Sequence, residues 1–454
     1  MVFAGLKSAL LAVTLAAAGP APKLDADVVA VVNGEPIRLR DLDDALFLDD
    51  HAHYLKDIQP FLIRERVVRQ KMSDRGISVQ KSEVHGYFRD LDRMLKTRRK
   101  TSLREQLKRQ GMTEAFFLRR CEQVVGLYRL VGGKGRASRH LTDPRVNAAM
   151  NKMLADLEAG AKKVVGLDKL PAGTAAIVNG EKISIAQAGE VARIGLPEEI
   201  RRERLKVLVY YFLARQELRR RGLEFTRDDM EYQIHLATAA KATRIGEKEF
   251  PLEKVLKKLG RDVSLLKRQY GFRAVAMLTK MVKSQVTEDE LKKVFAREGP
   301  RFGNGVPKAS HIYVKAVDKR GRILPARERR RKQDLAESIY KKLVDGRQDF
   351  AKLAGEFSED ERTAGLGGNL GFISYSKIKG DAVARTAYSL KVGEISRPVF
   401  GRNGWHIVKV TEVNRATFDT AKPLVMASTV ARHRAALLKE LQKKAEIKPG
   451  PARP

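Results

Sequence analysis

The chain has 454 residues, of which 43% are hydrophobic, so it is long enough for two to four domains and too apolar to be disordered throughout. Its formal net charge of +34 favours an acidic or anionic partner: nucleic acid, an anionic membrane surface or acidic polypeptide. Cys121 is the only cysteine, which excludes an intramolecular disulfide and a two-cysteine redox motif.

The N-terminal segment predicts export. An apolar run follows Lys7 and ends in three alanines at 16–18, which is typical of a signal peptide covering residues 1–18. The run is shorter than the roughly 20 residues of a membrane-spanning helix, but an uncleaved anchor remains an alternative. Export argues against nucleic acid. We therefore expect no nucleic-acid partner, and instead exported polypeptide, with an anionic membrane surface as a second candidate.

The next part of the chain contains a repeat. The stretch VVNGEPI at 31–37 recurs as IVNGEKI at 177–183, and Arg75-Gly76 recurs as Arg221-Gly222, each pair separated by the same 146 positions (31 to 177 and 75 to 221). A constant spacing over this length indicates two copies of one structural unit.

Each copy opens with a β-run, an Asn-Gly pair and a second β-run, which predicts a hairpin with a tight turn. Turn chemistry is sufficient to explain the Asn-Gly pairs. Helical patterns dominate the remainder of each copy. We therefore expect two mainly helical domains, 25–168 and 172–304, with a Pro- and Gly-containing linker between them.

A second feature shared by the copies is a closing segment. The helical pattern at 424–444 is followed by a short β-run at 445–448, and the first copy has its own version at 147–160 and 162–166. We expect each copy to be closed by its own segment. The second domain would then be completed by 414–448, with 449–454 as a tail and 305–413 as an insertion.

The sequence of the insertion predicts a small α/β unit. His311 lies in a short run of β-branched and aromatic residues, and a charged helix is predicted over 326–344, followed by a shorter one over 350–357. A Gly-rich turn then leads to a final strand that carries His406. The two histidines are therefore expected on strands that can pair within one sheet.

Several motifs in this order resemble the parvulin family of peptidyl-prolyl isomerases. They are ASHIYV at 309–314, FSED at 357–360, GGNLGF at 367–372, VGEISRPV at 392–399 and GWHIVKV at 404–410. The resemblance implies a four-stranded antiparallel sheet wrapped by helices, and rotation about X–Pro bonds without a cofactor. It also assigns the site residues. His311 and His406 would be the paired histidines, and Asp360 stands where the family has Cys, Asp or Ser. The proline pocket would be lined by Leu370, Phe372, Ile378 and Val383.

Two departures from the family pattern concern this pocket. Val383 or Ala382 fills a place where the family usually has an aromatic residue, which implies a shallower pocket. Gly401 stands where the family often has Ser or Thr, so a hydroxyl is missing.

We expect no metal site, and the two histidines at 51 and 53 are interpreted as a surface pair, because no further ligand candidates lie near them.

The repeated copies resemble the N-terminal chaperone region of SurA- and PrsA-like periplasmic foldases. The whole chain is therefore expected to be an α+β protein with two SurA-N-like helical chaperone domains, the second interrupted by a parvulin domain. This implies a periplasmic isomerase and chaperone acting on unfolded or nascent exported polypeptides that contain X–Pro, including outer-membrane proteins. The alternative is a non-catalytic holdase that uses a degenerate parvulin domain to bind peptides. Clients and oligomeric state remain open.

Overall fold

The computed structural model describes residues 25–49, 54–140, 143–165, 169–171, 173–245, 249–258 and 263–452. The signal peptide predicted at 1–18 and the histidine pair at 51–53 lie outside these residues. Within the described residues, no helix combines the length and apolar character needed to cross a bilayer. The chain divides into two compact units. The first comprises Met1–His235, Pro251–Ser284 and Ala431–Pro454, and the second comprises Leu236–Phe250 and Gln285–Val430.

The predicted helical character is confirmed. The helices up to the insertion are α1 (Leu39–Asp49), α2 (Gln59–Asp74), α3 (Lys81–Arg99), α4 (Leu103–Arg109), α5 (Glu114–Leu130), α6 (Pro144–Gly160), α7 (Ile185–Gly195), α8 (Glu198–Arg220), α9 (Arg227–Ile245), α10 (Leu252–Lys258), α11 (Val263–Arg268), α12 (Tyr270–Lys283) and α13 (Glu288–Glu298). Those that follow are α14 (Ala326–Val344), α15 (Phe350–Phe357), α16 (Ala382–Ser389) and α17 (Phe418–Lys444). Several begin at capping side chains: Ser102, Ser184 and Thr287 each accept a hydrogen bond from a backbone N–H in the first turn.

The first unit contains two small antiparallel sheets built on the predicted hairpins. Strands β1 (Val28–Val32) and β2 (Glu35–Arg38) form one hairpin. Strand β3 (Lys163–Val164) precedes the other, which consists of β4 (Thr174–Val178) and β5 (Glu181–Ser184). Both Asn-Gly turns have the positive φ angles that tight hairpin turns require, at 50° for Asn33 and 51° for Asn179.

The expectation that each copy is closed by its own terminal segment is wrong. Strand β10 (Ile447–Pro449), at the end of the second copy, pairs with β1 of the first. Strand β3, at the end of the first copy, pairs with β4 of the second. The two hairpins have nearly the same sequence, so pattern alone cannot say which one a closing strand joins. Chain connectivity favours the observed pairing, because β4 is the next strand after β3 along the chain, and consecutive elements usually become neighbours.

Equivalent helices of the two copies also pack against each other. Helices α1 and α7 each follow a hairpin, and they meet where a Cβ atom on Gly189 would lie 2.3 Å from the carbonyl oxygen of Asp43. Only glycine permits this approach. Asp43 is buried, and its carboxylate accepts a hydrogen bond from Arg193 Nε at 2.7 Å. The first unit is therefore one interlocked core made by both copies.

The second unit contains the predicted four-stranded antiparallel sheet. Its strands are β6 (Asn304–Lys315), β7 (Asn369–Phe372), β8 (Val399–Gly401) and β9 (Gly404–Arg415), in the spatial order β7-β6-β9-β8. The long central pair β6–β9 matches Tyr313 with His406 and His311 with Val408. Because side chains alternate across a strand, each face of this sheet carries its own core.

One face of the sheet packs against α14 and α15, where Ile312, Val314 and Ile407 join the buried residues of these helices. The other face packs against α16, where Ala309, Val408 and Val410 join Val383, Ala384 and Ala387. His311, Tyr313 and His406 lie on this second face by register. The second face is therefore the one that positions the predicted site.

Candidate functional site

The two histidines meet because of strand register. His311 and Tyr313 lie two residues apart on β6, and His406 is opposite Tyr313 on β9, so all three project from one face. The Nδ1 atoms of His311 and His406 are 3.1 Å apart, and both rings are buried. The Tyr313 ring stacks on His406, with centroids 4.7 Å apart. The side chains form a layered aromatic group on the sheet.

Asp360 completes the group from the loop that follows α15. Its Oδ2 lies 3.0 Å from His311 Nε2. An ionised carboxylate can only accept, so this contact places the proton of His311 on Nε2. His311 Nδ1 is then an acceptor, and His406 Nδ1–H is the donor to it. The arrangement thus defines one order of protons from Asp360 through His311 to His406 Nδ1.

Burial keeps this network uncharged at the histidines. Desolvation, followed by the influence of the neighbouring His311, lowers the pKa of His406 from 6.5 to about 4. Burial also lowers the pKa of His311, although Asp360 opposes the shift. For Asp360, desolvation acts to raise the pKa, but hydrogen bonds from Thr363 and His311 outweigh it and lower the pKa. At neutral pH the site holds two neutral imidazoles and one carboxylate.

The loop that carries Asp360 is tied to β6 by its backbone. Ser358 Oγ accepts a hydrogen bond from the Tyr313 amide at 3.1 Å, and the Glu359 amide donates to the Tyr313 carbonyl at 2.7 Å. Further along, the carbonyl of Gly368 accepts from the His311 amide at 2.8 Å. Gly368 has φ +74°, and a Cβ there would lie 2.1 Å from the His311 carbonyl oxygen. Glycine at position 368 is therefore required for this close approach.

Thr363 is a member of the network that the sequence reasoning missed. Its hydroxyl donates to Asp360 Oδ2 at 2.9 Å and lies 3.2 Å from His311 Nε2. The side chain is buried. The available signal was its spacing, because a hydroxyl three residues after an aspartate in a turn can return to that carboxylate. Tyr313 was missed as well, although its place two residues after His311 put it on the same face.

The predicted pocket residues divide into two groups. Leu370 and Val383 pack on the same apolar cluster as Ala309, Val408 and Val410, on the face that carries the histidines. Phe372 is 48% exposed, and its ring centroid lies 5.9 Å from the Lys308 ammonium. Ile378 is half-buried in a turn between β7 and α16. The structure thus brings Leu370 and Val383 to one cluster, and does not place Phe372 there.

Gly401 borders the ring of His406. A Cβ atom at this position would lie 2.8 Å from His406 Cδ2 and 3.0 Å from Nε2. Such contacts are shorter than van der Waals separation, so the ring could not keep this position beside a Ser or Thr. The glycine that replaces the family's Ser or Thr therefore provides the space in which the His406 ring lies.

Comparison with known proteins identifies this segment. Residues 311–412 match the rotamase family described as the PPIC-type PPIASE domain. The segment is a parvulin domain. The chain is also similar to the foldase protein PrsA of Geobacillus sp. (strain WCH70), with 31% identity over 202 residues, covering 42% of this chain and 63% of the relative. The chain spans less than two thirds of the length of the curated relatives it matches.

Solved structures show weaker likeness. PrsA from Bacillus cereus is 19% identical, with a TM-score of 0.30, over 60% of this chain and 90% of that one. A structure described among SurA-like chaperones of Campylobacter jejuni is 18% identical, with a TM-score of 0.21, over 59% of this chain and 94% of that one. Scores this low carry no information about the arrangement of the whole chain.

In the part of the chain that the structure describes, no three His, Cys, Asp or Glu side chains cluster as metal ligands do. Cys121 is buried, and burial raises the pKa of its thiol to about 12. A thiol of this kind stays protonated and unreactive at neutral pH.

Proposed function

We propose that the protein is an exported peptidyl-prolyl isomerase and chaperone that binds unfolded polypeptide and rotates X–Pro bonds. The observation that carries this proposal is the neutral His311–His406 pair, bonded to Asp360 on the sheet face that also carries Leu370 and Val383. The match of this segment to the PPIC-type domain supports it, as does the similarity of the chain to proteins named as foldases.

The reaction requires no covalent step. Rotation about the X–Pro bond faces a barrier of about 20 kcal/mol, because amide resonance must be broken. The twisted amide is less charge-separated than the planar one, so a site of low polarity favours the transition state. Two uncharged imidazoles supply polar atoms without a net charge. Leu370 and Val383 would contact the proline ring and hold it, while the chain on the other side of the bond turns.

Asp360 and Thr363 have a positioning part in this proposal. Together they hold the proton of His311 on Nε2, which leaves one arrangement of donors and acceptors facing the substrate. A fixed arrangement costs no reorganisation when the amide twists. The proposed catalytic site thus consists of His311 and His406 together with Asp360, which positions them, and the proposed substrate-binding residues are Leu370, Phe372, Ile378 and Val383. Of these four, the exposed Phe372 would act only at the rim.

The chaperone part of the proposal rests on the rest of the chain. The mainly helical first unit would hold unfolded segments, and the high positive charge would favour acidic stretches of the client. The predicted signal peptide would direct this activity to the periplasm, where the anionic membrane surface would be a further site of binding. The clients would be exported polypeptides that contain X–Pro.

A second candidate is a holdase whose parvulin domain binds peptides without turnover. The exposure of Phe372 favours it, because an aromatic ring outside the cluster leaves the proline pocket with fewer walls. The two candidates differ in one measurable property: only the isomerase accelerates a refolding phase that is limited by proline isomerisation.

The test is the refolding of a denatured protein with a known proline-limited phase, in the presence of the full chain. The proposal expects a faster slow phase with wild type and no acceleration with His406→Ala. Suppression of aggregation, measured with the same substrate, should be retained by the variant. Suppression of aggregation by wild type without any acceleration of refolding would support the holdase. If wild type neither suppresses aggregation nor accelerates refolding, both candidates are contradicted.

A further inference from the structure

Arg434 lies in an unusual polar cluster of the first unit. From α17 its Nη1 donates to Thr279 Oγ1 on α12 at 2.9 Å and to Gln233 Oε1 on α9 at 3.0 Å. The Thr279 hydroxyl donates to the same Gln233 oxygen at 2.6 Å. Thr279 and Gln233 are both buried. Three helices are thus joined around one guanidinium, and both of its protein acceptors are neutral.

The charge of Arg434 has no counter-ion within the described residues. None of the ion pairs among them includes Arg434, and burial alone lowers its pKa from 12.5 to about 10. The group is still a cation at neutral pH. A half-buried charge without an opposite charge is unfavourable, and a bound anion would compensate it.

The unused hydrogen-bonding capacity of the cluster consists of donors. The two bonds of Arg434 both use Nη1, and those of Gln233 both use Oε1. Arg434 Nε and Nη2 and Gln233 Nε2 are not among the buried polar atoms that lack a partner, so they keep contact with solvent. Several N–H groups without an acceptor among the described residues, beside a positive charge that none of those residues compensates, are complementary to a carboxylate.

The repeat shows that the fold does not require a charge here. Lys162 and Glu446 occupy the same place in the two copies, because each backbone N–H donates to the side-chain oxygen of a hairpin asparagine, Asn179 or Asn33, at 2.8 Å. Counting back equally from both, the counterpart of Arg434 on α6 is Met150. The equivalent position of the first copy is therefore occupied by an uncharged side chain.

We propose that Arg434 and Gln233 bind a carboxylate group of a bound polypeptide, supplied by an aspartate or glutamate side chain. The proposal rests on the polypeptide-holding function above and names a chemical preference within it. Arg434 supplies the positive charge and the N–H donors on Nε and Nη2, and Gln233 supplies the N–H donors on Nε2. Thr279 holds the Gln233 oxygen, so that the amide nitrogen turns toward the ligand.

The experiment measures binding of the full chain to a short proline-free peptide with blocked termini and one central glutamate, and to its twin with glutamine. The absence of proline keeps the parvulin site out of the measurement. Wild type should bind the glutamate peptide about tenfold more tightly, as expected for a charged hydrogen bond. Arg434→Met should bind both peptides equally, whereas Lys439→Met, which removes an exposed charge from the same helix, should keep the preference.

Each other outcome is decisive. Equal binding of the two peptides by wild type would overturn the carboxylate site while leaving polypeptide holding intact. Failure to bind either peptide would contradict polypeptide holding, and the carboxylate site with it. If sodium acetate stabilises wild type against heat more than Arg434→Met, but the peptides bind equally, the cluster takes a small free anion and the polypeptide source is wrong. Arg434→Gln, which retains polar character, provides a second variant if Arg434→Met does not fold.

Discussion

Gln70 and Gln216 make the same two hydrogen bonds, each to the hairpin of the other copy. Gln70 Nε2 donates to the Val178 carbonyl at 3.1 Å, and its Oε1 accepts from Asn179 Nδ2 at 2.9 Å. Gln216 Nε2 donates to the Val32 carbonyl at 2.9 Å, and its Oε1 accepts from Asn33 Nδ2 at 2.9 Å. The two copies are thus joined by reciprocal contacts, as the subunits of a symmetric dimer would be.

Replacement of either glutamine by alanine is expected to destabilise the first unit. Each change removes two neutral hydrogen bonds that fix a hairpin turn, and also a hydrogen bond to a carboxylate of that hairpin, Glu181 for Gln70 and Glu35 for Gln216. The free energy of unfolding should therefore fall by about 2 kcal/mol or more for each variant. Urea denaturation measures both effects. Gln110→Ala, at an exposed position without a side-chain hydrogen bond among the described residues, is the matched control. A loss in the control equal to that in Gln70→Ala would contradict this account.

Deletion of residues 446–454 is expected to release the β1–β2 hairpin but not the β4–β5 hairpin. The backbone N–H of Asn33 donates to the backbone carbonyl of Glu446 at 2.8 Å, and the backbone N–H of Asn179 donates to that of Lys162 at 2.8 Å. Hydrogen exchange of these two amides can be compared within one molecule. The deletion should accelerate exchange at Asn33 and leave Asn179 protected. Acceleration at Asn179 alone would mean that the closing strands are assigned to the wrong hairpins.

The repeat and the hairpins were predictable from local patterns, namely Asn-Gly turns and helical periodicity. The four-stranded sheet was predictable only through the resemblance of the insertion to the parvulin family. The exchange of closing strands was not predictable. The residues that choose between hairpins are nearly the same in both, since Val32 and Val178, or Glu35 and Glu181, offer equal partners. That choice depends on the short connection from Val164 to Thr174, and the hydrophobic periodicity of a segment carries no information about the length of its connections.

The site was predictable where residue type and chemistry coincide. His311, Asp360 and His406 are polar residues on family motifs, and the structure brings them together, although their catalytic roles remain predictions. Phe372 shows the limit of this reasoning. An aromatic residue on a strand is equally compatible with either face, and only the pairing of Phe372 with Lys308 reveals its surroundings.

Thr363→Val should reduce isomerisation without unfolding the domain. Valine has nearly the same shape but cannot donate to Asp360, so His311 would lose part of the interaction that fixes its proton. The loss of one hydrogen bond of about 1 kcal/mol corresponds to a several-fold decrease in kcat, with KM nearly unchanged. Thr363→Ser keeps the hydroxyl and should restore most of the rate. A valine variant as active as wild type would remove Thr363 from the network.

Mild acid should destabilise the parvulin domain through His406. Its pKa is about 4 when folded and 6.5 ordinarily, so the unfolded chain takes up a proton as the pH falls below 6.5 while the folded chain does not. Stability is therefore lost between about pH 6.5 and pH 4, by roughly 3 kcal/mol in total. His311 acts in the same direction. The lowered pKa of Asp360 adds a further loss at still lower pH, as that carboxylate is protonated.

The pH effect is measured by urea denaturation at pH 7 and pH 4.5, comparing wild type with His406→Gln. Glutamine does not titrate, so the variant should lose less stability between the two pH values, and the other titrating groups cancel in the comparison. An identical loss in both proteins would show that His406 is not buried in its neutral form.

The central claim is that the paired histidines catalyse rotation about X–Pro bonds. It is tested most directly by the isomerisation rates of a set of X–Pro peptides with the full chain, with His406→Ala and with Asp360→Asn. The account predicts acceleration of at least one peptide by wild type and a marked loss of that acceleration in both variants. A correctly folded wild-type chain that accelerates none of the peptides, or variants that retain its full rate, would contradict the claim and leave a chaperone whose parvulin domain serves only to bind.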